Sequence, residues 1–156
     1  NGTEYSALND RLLRWAASLL AATDSIQLPI LMVEQIQVQF LVPQAAIRLW
    51  RCDAALSQQT YAQGLSDEVK AWAATLDTPY CGAPVHEELV HSLPEPQSVL
   101  SMAVVGLRQP SGELMGLLIL ASPDSQRYHA GMGTDLLDRI GQLAGAALSR
   151  LMGTQT

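Results

Sequence analysis

The chain has 156 residues, 48% of them hydrophobic and 15% charged, with a formal net charge of −6. That length is one domain's worth and can bury a sizeable core without disulfide or metal staples. Lys70 is the single lysine and no basic run occurs, which excludes the clustered cations of a nucleic-acid interface.

Thr3 stands as a helix N-cap, and Tyr5, Leu8, Leu12, Trp15, Ala16 and Leu19 then fall on one helical face. That helix is expected to end within residues 21–24. Ser25 or the Leu28-Pro29 step opens a second helix, since Pro is tolerated in a first turn. Ile30, Val33, Ile36, Gln37 and Phe40 continue its stripe, and Pro43 stops it. Residues 45–51 read as a strand, with Ile47 and Leu49 on one face and Arg48 and Trp50 on the other. Residues 52–64 have no clear period, and Tyr61 marks a short strand within them. Ser66-Asp67-Glu68 opens a short helix with Val69, Trp72, Ala73 and Leu76 on one side. Residues 79–84 read as an extended piece, 86–93 as a helical turn and 94–96 as a loop.

Residues 98–151 are the most legible stretch. Residues 99–107 form an apolar run rich in β-branched side chains, as suits a strand covered on both faces. Pro110 and Gly112 supply a turn, and residues 114–122 return as the antiparallel partner. Gly116 in that strand predicts a bulge or the close approach of another backbone. After a loop, Thr134 caps a helix whose Leu136, Leu137, Ile140, Leu143, Ala144, Ala147, Leu148 and Leu151 make a broad apolar stripe. Asp135 and Asp138 early and Arg150 late match its dipole. The stripe, with Gly141 and Gly145 among it, is wider than one sheet face needs and, with the low charge content, predicts a helix bundle between two copies. The expected order is α-α-β-(β)-α-β-α-β-β-α.

A strand hairpin followed by a closing helix resembles the end of GAF and PAS-like sensor domains. Gly131-Met132-Gly133-Thr134-Asp135-Leu136-Leu137, preceded by Ala121-Ser122-Pro123-Asp124 and Arg127-Tyr128, resembles the closing signature of a bacterial GAF-like family known as domain of unknown function 484. Tyr80-Cys81-Gly82 and Arg48-Leu49-Trp50 resemble two further landmarks of it. The resemblance implies an α+β fold: a central antiparallel sheet, with N- and C-terminal helices packed on one face and short helices and loops over the other. It implies a ligand pocket on the loop-covered face and a homodimer through the terminal helices. Residues 1–23 are then an N-terminal helix, the tail of a longer coiled-coil-like segment, and 24–156 the GAF-like domain. The chain begins at Asn1 rather than Met, the start expected of a fragment.

Within that frame the candidate ligand-binding residues are Arg48, Trp50, Tyr80, Cys81, Ser101, Arg127, Tyr128 and Met132. Arg48 and Arg127 suit a carboxylate or phosphate in an apolar cleft; alternatively Asp124 pairs with Arg127, and Glu34 or Asp53 with Arg48. Tyr80 and Cys81 either pack in the core or touch a small molecule, and both readings stand. Cys81, His86 and His91 recur five residues apart, looser than the pairs of a structural zinc site, so no metal is expected. A Cys81–His86 nucleophile pair is weighed against the commoner buried cysteine that acts as a small hydrophobe, and the chain is expected not to be an enzyme. Asp135 opposes phosphate at the Gly131–Thr134 helix start, leaving a capped loop with Met132 against the sheet. The Asn-Lys…Phe…Asp-Glu set of cyclic-nucleotide-binding GAF domains has no counterpart, and the sequence specifies no cofactor. Two cysteines make no secreted disulfide framework, no signal peptide is evident, and no apolar run approaches about 20 residues. The expectation is a cytoplasmic sensory or regulatory domain with no nucleic-acid or membrane partner, or a purely structural interaction module with a filled pocket.

Overall fold

The computed structural model describes residues 2–152; the side chain of Tyr5, counted above on the first helical face, lies outside what is described. Four strands, β1 (Gln44–Leu49), β2 (Tyr80–Gly82), β3 (Ser101–Arg108) and β4 (Leu114–Ser122), form one antiparallel sheet in the order β1-β4-β3-β2. The β3–β4 hairpin is its centre, as the two continuous apolar runs require. Its strands are buried almost throughout. A bulge falls between Leu107 and Arg108, which pair with Gly116 and Leu114, so Met115 is the extra residue. The bulge inverts the alternation of β4. Leu114 turns to one face and Met115 to the other, with Leu118 and Leu120. Gly116 is there because a Cβ would overlap the carbonyl oxygen of Arg48 on β1. Both readings of that glycine hold.

Three long helices cover one face: α1 (Gly2–Ala21), α2 (Leu28–Phe40) and α5 (Asp135–Met152). Their buried stripes meet Ala45, Ile47, Leu49, Ala103, Val105, Leu107, Leu118 and Leu120. Trp15 is wholly buried, and its indole N–H donates to the Met32 carbonyl at 3.2 Å, so the polar end of the ring is satisfied inside the α1–α2 contact. Two expectations shift. Thr3 lies inside α1 rather than capping it. The α2 stripe runs Leu28, Met32, Ile36, Phe40 at four-residue steps, which turns Ile30 outward at 38% exposure.

The helix α5 lies directly on β3. A Cβ at Gly145 would stand 2.5 Å from the Arg108 carbonyl oxygen, and one at Gly141 would stand 2.7 Å from a Val105 methyl. These glycines bring backbone onto backbone, so the small residues of α5 serve the sheet. Leu136, Leu143 and Leu151, partly buried, also pack against the same core.

The other face carries α3 (Asp67–Ala74), α4 (Glu87–Val90) and three 3-10 turns, Ala54–Leu56, Thr60–Ala62 and Pro96–Ser98. The strand expected at Tyr61 is one of those turns. Its ring is buried and its hydroxyl donates to the Ile26 carbonyl at 2.7 Å, which ties this segment to the α1–α2 junction instead of to a sheet edge. The helix expected to open at Ser66-Asp67-Glu68 is α3, and Ser66 caps it by accepting the Val69 N–H.

Two measurements test this packing. Ala favours a helix over Gly by about 1 kcal/mol, yet overpacking costs about 1–3 kcal/mol. With only the β3 backbone to yield, Gly145→Ala is expected to lower unfolding free energy in urea; a gain would mean α5 does not rest on β3. Burial, with Cys52 and then Asp24 nearby, pushes the Tyr61 phenol up to about 12. The stabilisation linked to neutral Tyr61 is therefore full below its ordinary pKa near 10 and lost as pH rises through about 12. Ultraviolet titration should show a tyrosine step there, and Tyr61→Phe should remove it.

Candidate functional site

The loop-covered face is where the resemblance places a ligand. Here it is filled. Leu65, Val69 and Ala73 from the α3 side, and Leu89, Leu93 and Val99 from the α4 side, meet Met102, Val104, Leu117, Ile119 and Ala121 of the sheet, none above 6% exposed. Trp50 and Tyr80 pack at the border of this cluster. Lys70 lies 5.8 Å over the Trp50 ring, and Trp72 meets the His86 ring at a tilt of 54° with centroids 4.5 Å apart and Tyr80 edge-on at 5.8 Å. The Tyr80 hydroxyl donates to the Ala83 carbonyl at 2.6 Å. His86, at φ 56°, is one of two non-glycine residues in left-handed backbone among those described.

Arg48 projects from β1 into this layer. It donates to Ser92 Oγ at 2.8 Å and to the Gln63 carbonyl at 2.6 Å, which pins α4 and the segment before α3 onto the sheet. Burial lowers its pKa, and Glu88 works the other way. Glu88 accepts both the hydroxyl and the N–H of Ser66, and these bonds hold its carboxyl below the usual range. Arg48 thus rests on Ser92 and backbone oxygens, with Glu88 as its charged neighbour.

The remaining candidates do not join this group: strand alternation turns Cys81 and Ser101 to the other face, and Arg127, Tyr128 and Met132 lie on the loop before α5. Cys81 is buried on the helix side, away from His86, and burial raises its thiol pKa, the reverse of what a nucleophile needs. Ser101 is wholly buried; its hydroxyl donates to the Asp124 carbonyl at 2.7 Å and accepts the Tyr128 N–H. Tyr128 and Met132 pack on the helix-side core. Arg127 donates to the Phe40 and Leu41 carbonyls, both at 2.8 Å, and so caps the C-terminus of α2. It does not reach over the loop-side face, and Asp124 meets it only through the Asp124 carbonyl and the Arg127 N–H. The eight candidates therefore divide between two faces and a helix end. Among the described residues no group of three or more His, Cys, Asp or Glu is disposed to hold a metal.

An open groove of about 500 Å³ lies elsewhere, where β3 outruns β2. Leu76 and Pro79 form one wall, Asp138 and Gln142 of α5 the other, and Val105 and Gly106 lie between them. It follows from a three-residue β2 beside an eight-residue β3, lengths that the expected extended piece at 79–84 did not reveal.

A family model described as "Protein of unknown function, DUF484" matches residues 2–152. The chain belongs to that family. A search among curated proteins finds no match. Among solved structures, the chain is similar to the GAF domain of a protein described as a sensor histidine kinase from Pseudomonas syringae pv. tomato, with 16% identity, 96% of this chain and 90% of that one covered, and a TM-score of 0.59. It is also similar to the GAF domain of the potassium sensor histidine kinase KdpD from Escherichia coli, with 17% identity, 90% and 92% covered, and a TM-score of 0.55. The fold is GAF-like. No described helix is long and apolar enough to cross a membrane.

In this DUF484 chain the closing signature therefore acts as a strap. Its Arg127 offsets a strained helix end, where Leu41 sits at φ 54° and 66% exposed. Hydrogen bonds to a charged group contribute about 1.5–3 kcal/mol, so Arg127→Ala should destabilise by that order. A left-handed residue with a Cβ costs about 1–2 kcal/mol, and Leu41 gives up little packing. Leu41→Gly should therefore raise the thermal midpoint; a fall would show that the strap relieves no strain.

Proposed function

We propose that this DUF484 domain is a non-enzymatic, GAF-like regulatory module of the cytoplasm that works through protein contacts and as a homodimer joined along α1. The observation that carries the reading is a second stripe on α1. Gly2, Ser6, Asn9, Leu13, Ala16 and Leu20 follow one another at alternating steps of four and three residues, the spacing of a two-helix seam. This stripe carries no charge and is separate from the inward Leu12, Trp15 and Leu19, and its Leu13 and Leu20 are 60% and 66% exposed. A heptad seam left open on a terminal helix fits a second copy of the same helix.

The filled loop-side face favours contact over enclosure of a metabolite, since the side chains there already occupy the space a ligand would take. The high thiol pKa of Cys81 and its separation from His86 support a non-enzymatic role. The sensor kinases that carry the similar GAF domains support a regulatory one.

Light scattering at micromolar concentration should give a dimer mass for the wild type and a monomer mass for Leu13→Glu/Leu20→Glu, with the thermal midpoint of the monomer fold retained. A monomeric wild type would remove the dimer from the reading. A metabolite library that raises the thermal midpoint through one compound would replace the contact module with a ligand sensor.

A further inference from the structure

The groove beside α5 exists because β2 stops early. Tyr80 pairs with Val104, Cys81 with Ala103 and Gly82 with Met102, and there the ladder ends. The next residue towards the N-terminus is Pro79, which has no N–H to give and turns the chain away. From Val105 to Arg108, β3 is paired on its β4 side only. In an antiparallel sheet, alternate residues of an unpaired strand direct their N–H and C=O groups outward, and such an edge is a template for another extended chain.

This edge borders open space in the groove, with α5 along one side of it, where Gly141 and Gly145 approach the carbonyl oxygens of Gly106 and Arg108. No lysine or inward charge sits on Val105, Gly106 or Leu107, and Gly106 has no side chain to obstruct an approach. The walls carry Asp77 on the segment before β2 and Asp138 on α5. Neither carboxylate makes an ion pair among the described residues. Arg108, the one cation on the lining, is turned to the hairpin, where it donates to the Gly112 carbonyl at 2.9 Å. Thr78 and Ala146 complete the rims with small side chains. The volume of about 500 Å³ falls within the range of about 300–1,000 Å³ usual for a binding cleft.

We propose that this groove binds a short, extended, basic segment of a partner protein, which adds a strand to the free half of β3 and places Lys or Arg against Asp77 and Asp138. Backbone pairing supplies an affinity indifferent to sequence, and alternate side chains supply selectivity. Charge selects the occupant. The chain has 15 acidic against 9 basic residues, so a second copy of itself is a poor match for two carboxylates, whereas a cationic strand is drawn in. This surface shares no residue with the α1 seam.

The test is a phage-displayed library of random heptapeptides panned on the full chain, followed by fluorescence anisotropy of the most enriched peptide. Enrichment of sequences with Lys or Arg alternating with β-branched residues is expected, with affinity falling as salt rises. Asp77→Lys/Asp138→Lys should weaken that peptide by about tenfold or more. Ala146→Trp should abolish binding: Ala146 is exposed on the rim, so the variant fills the groove without entering the core. The peptide should shift the backbone amides of Val105 to Arg108. No enrichment, acidic or wholly apolar winners, equal affinity for Ala146→Trp, or shifts confined to another surface would each overturn the proposal. The mass of Ala146→Trp in light scattering should equal that of the wild type, which separates this result from the fate of the α1 dimer.

Discussion

The backbone contact between α5 and β3 is the constraint on which the other arrangements rest. Gly141 and Gly145 remove the side chains that would hold a helix at the ordinary distance from a sheet. The helix can then seat its whole apolar breadth, with Ile140, Ala144 and Leu148 buried between the sheet and the N-terminal helices. Beside α5, α2 packs on β1, and α1 lies against both helices, with Trp15 reaching the Met32 carbonyl between α1 and α2. The same proximity leaves α5 as the wall of the groove at the end of β3. A helix with Ala or Leu at those positions would stand off, and the contact of α1 and α2 with it would be displaced.

The second organising feature is the treatment of helix ends. Neither α1 nor α2 carries a basic residue in its last turn. Both are capped from a distance. Arg150 of α5 donates to the Leu19, Leu20 and Ala22 carbonyls, closest at 2.7 Å to Ala22. Arg127, from the loop before α5, does the same for Phe40 and Leu41. An arginine near the end of α5 was expected to answer that helix's own dipole; it answers the parallel dipole of its neighbour, where unpaired carbonyls converge. The C-terminal part of the chain thus closes the N-terminal part through charge as well as burial. Of the two arginines singled out by residue type, Arg127 donates to carbonyl oxygens at the end of α2, and Arg48 is shared between a serine and the backbone.

The division of the site residues shows where sequence reading stops. The strand runs of β3 and β4, the alternation of Ile47 and Leu49 against Arg48 and Trp50, the helix start at Ser66 and the Gly116 contact were all legible, because each depends on period or backbone geometry near one residue. Tyr61 was not: an isolated aromatic between polar residues is satisfied by any neighbour that offers a carbonyl, and Ile26 is distant in sequence. The grouping of Tyr80 with Cys81 failed for a related reason. Adjacent residues on a strand share a location in sequence and opposite faces in space. The same parity sends Ser101 to the helix side and Met102 to the loop side. Whether the loop-side layer would be hollow or filled depended on how Leu89, Leu93 and Val99 docked, a matter of tertiary packing with no local signal.

Two of the features left open among the described residues are the seam on α1 and the free half of β3. They are not isolated from one another. The groove's wall residues Asp138 and Gln142 lie on the same helix that carries Arg150 to the end of α1. The helix α5 is seated by glycine contacts that tolerate little displacement, since interiors at close packing transmit strain rather than absorb it. A strand added at Val105–Arg108 would therefore press against the element that holds α1 in place, without passing through any ligand cavity. The groove wall and the clasp on α1 thus lie on one helix, the wall from Asp138 to Ala146 and the clasp about one turn beyond it at Arg150.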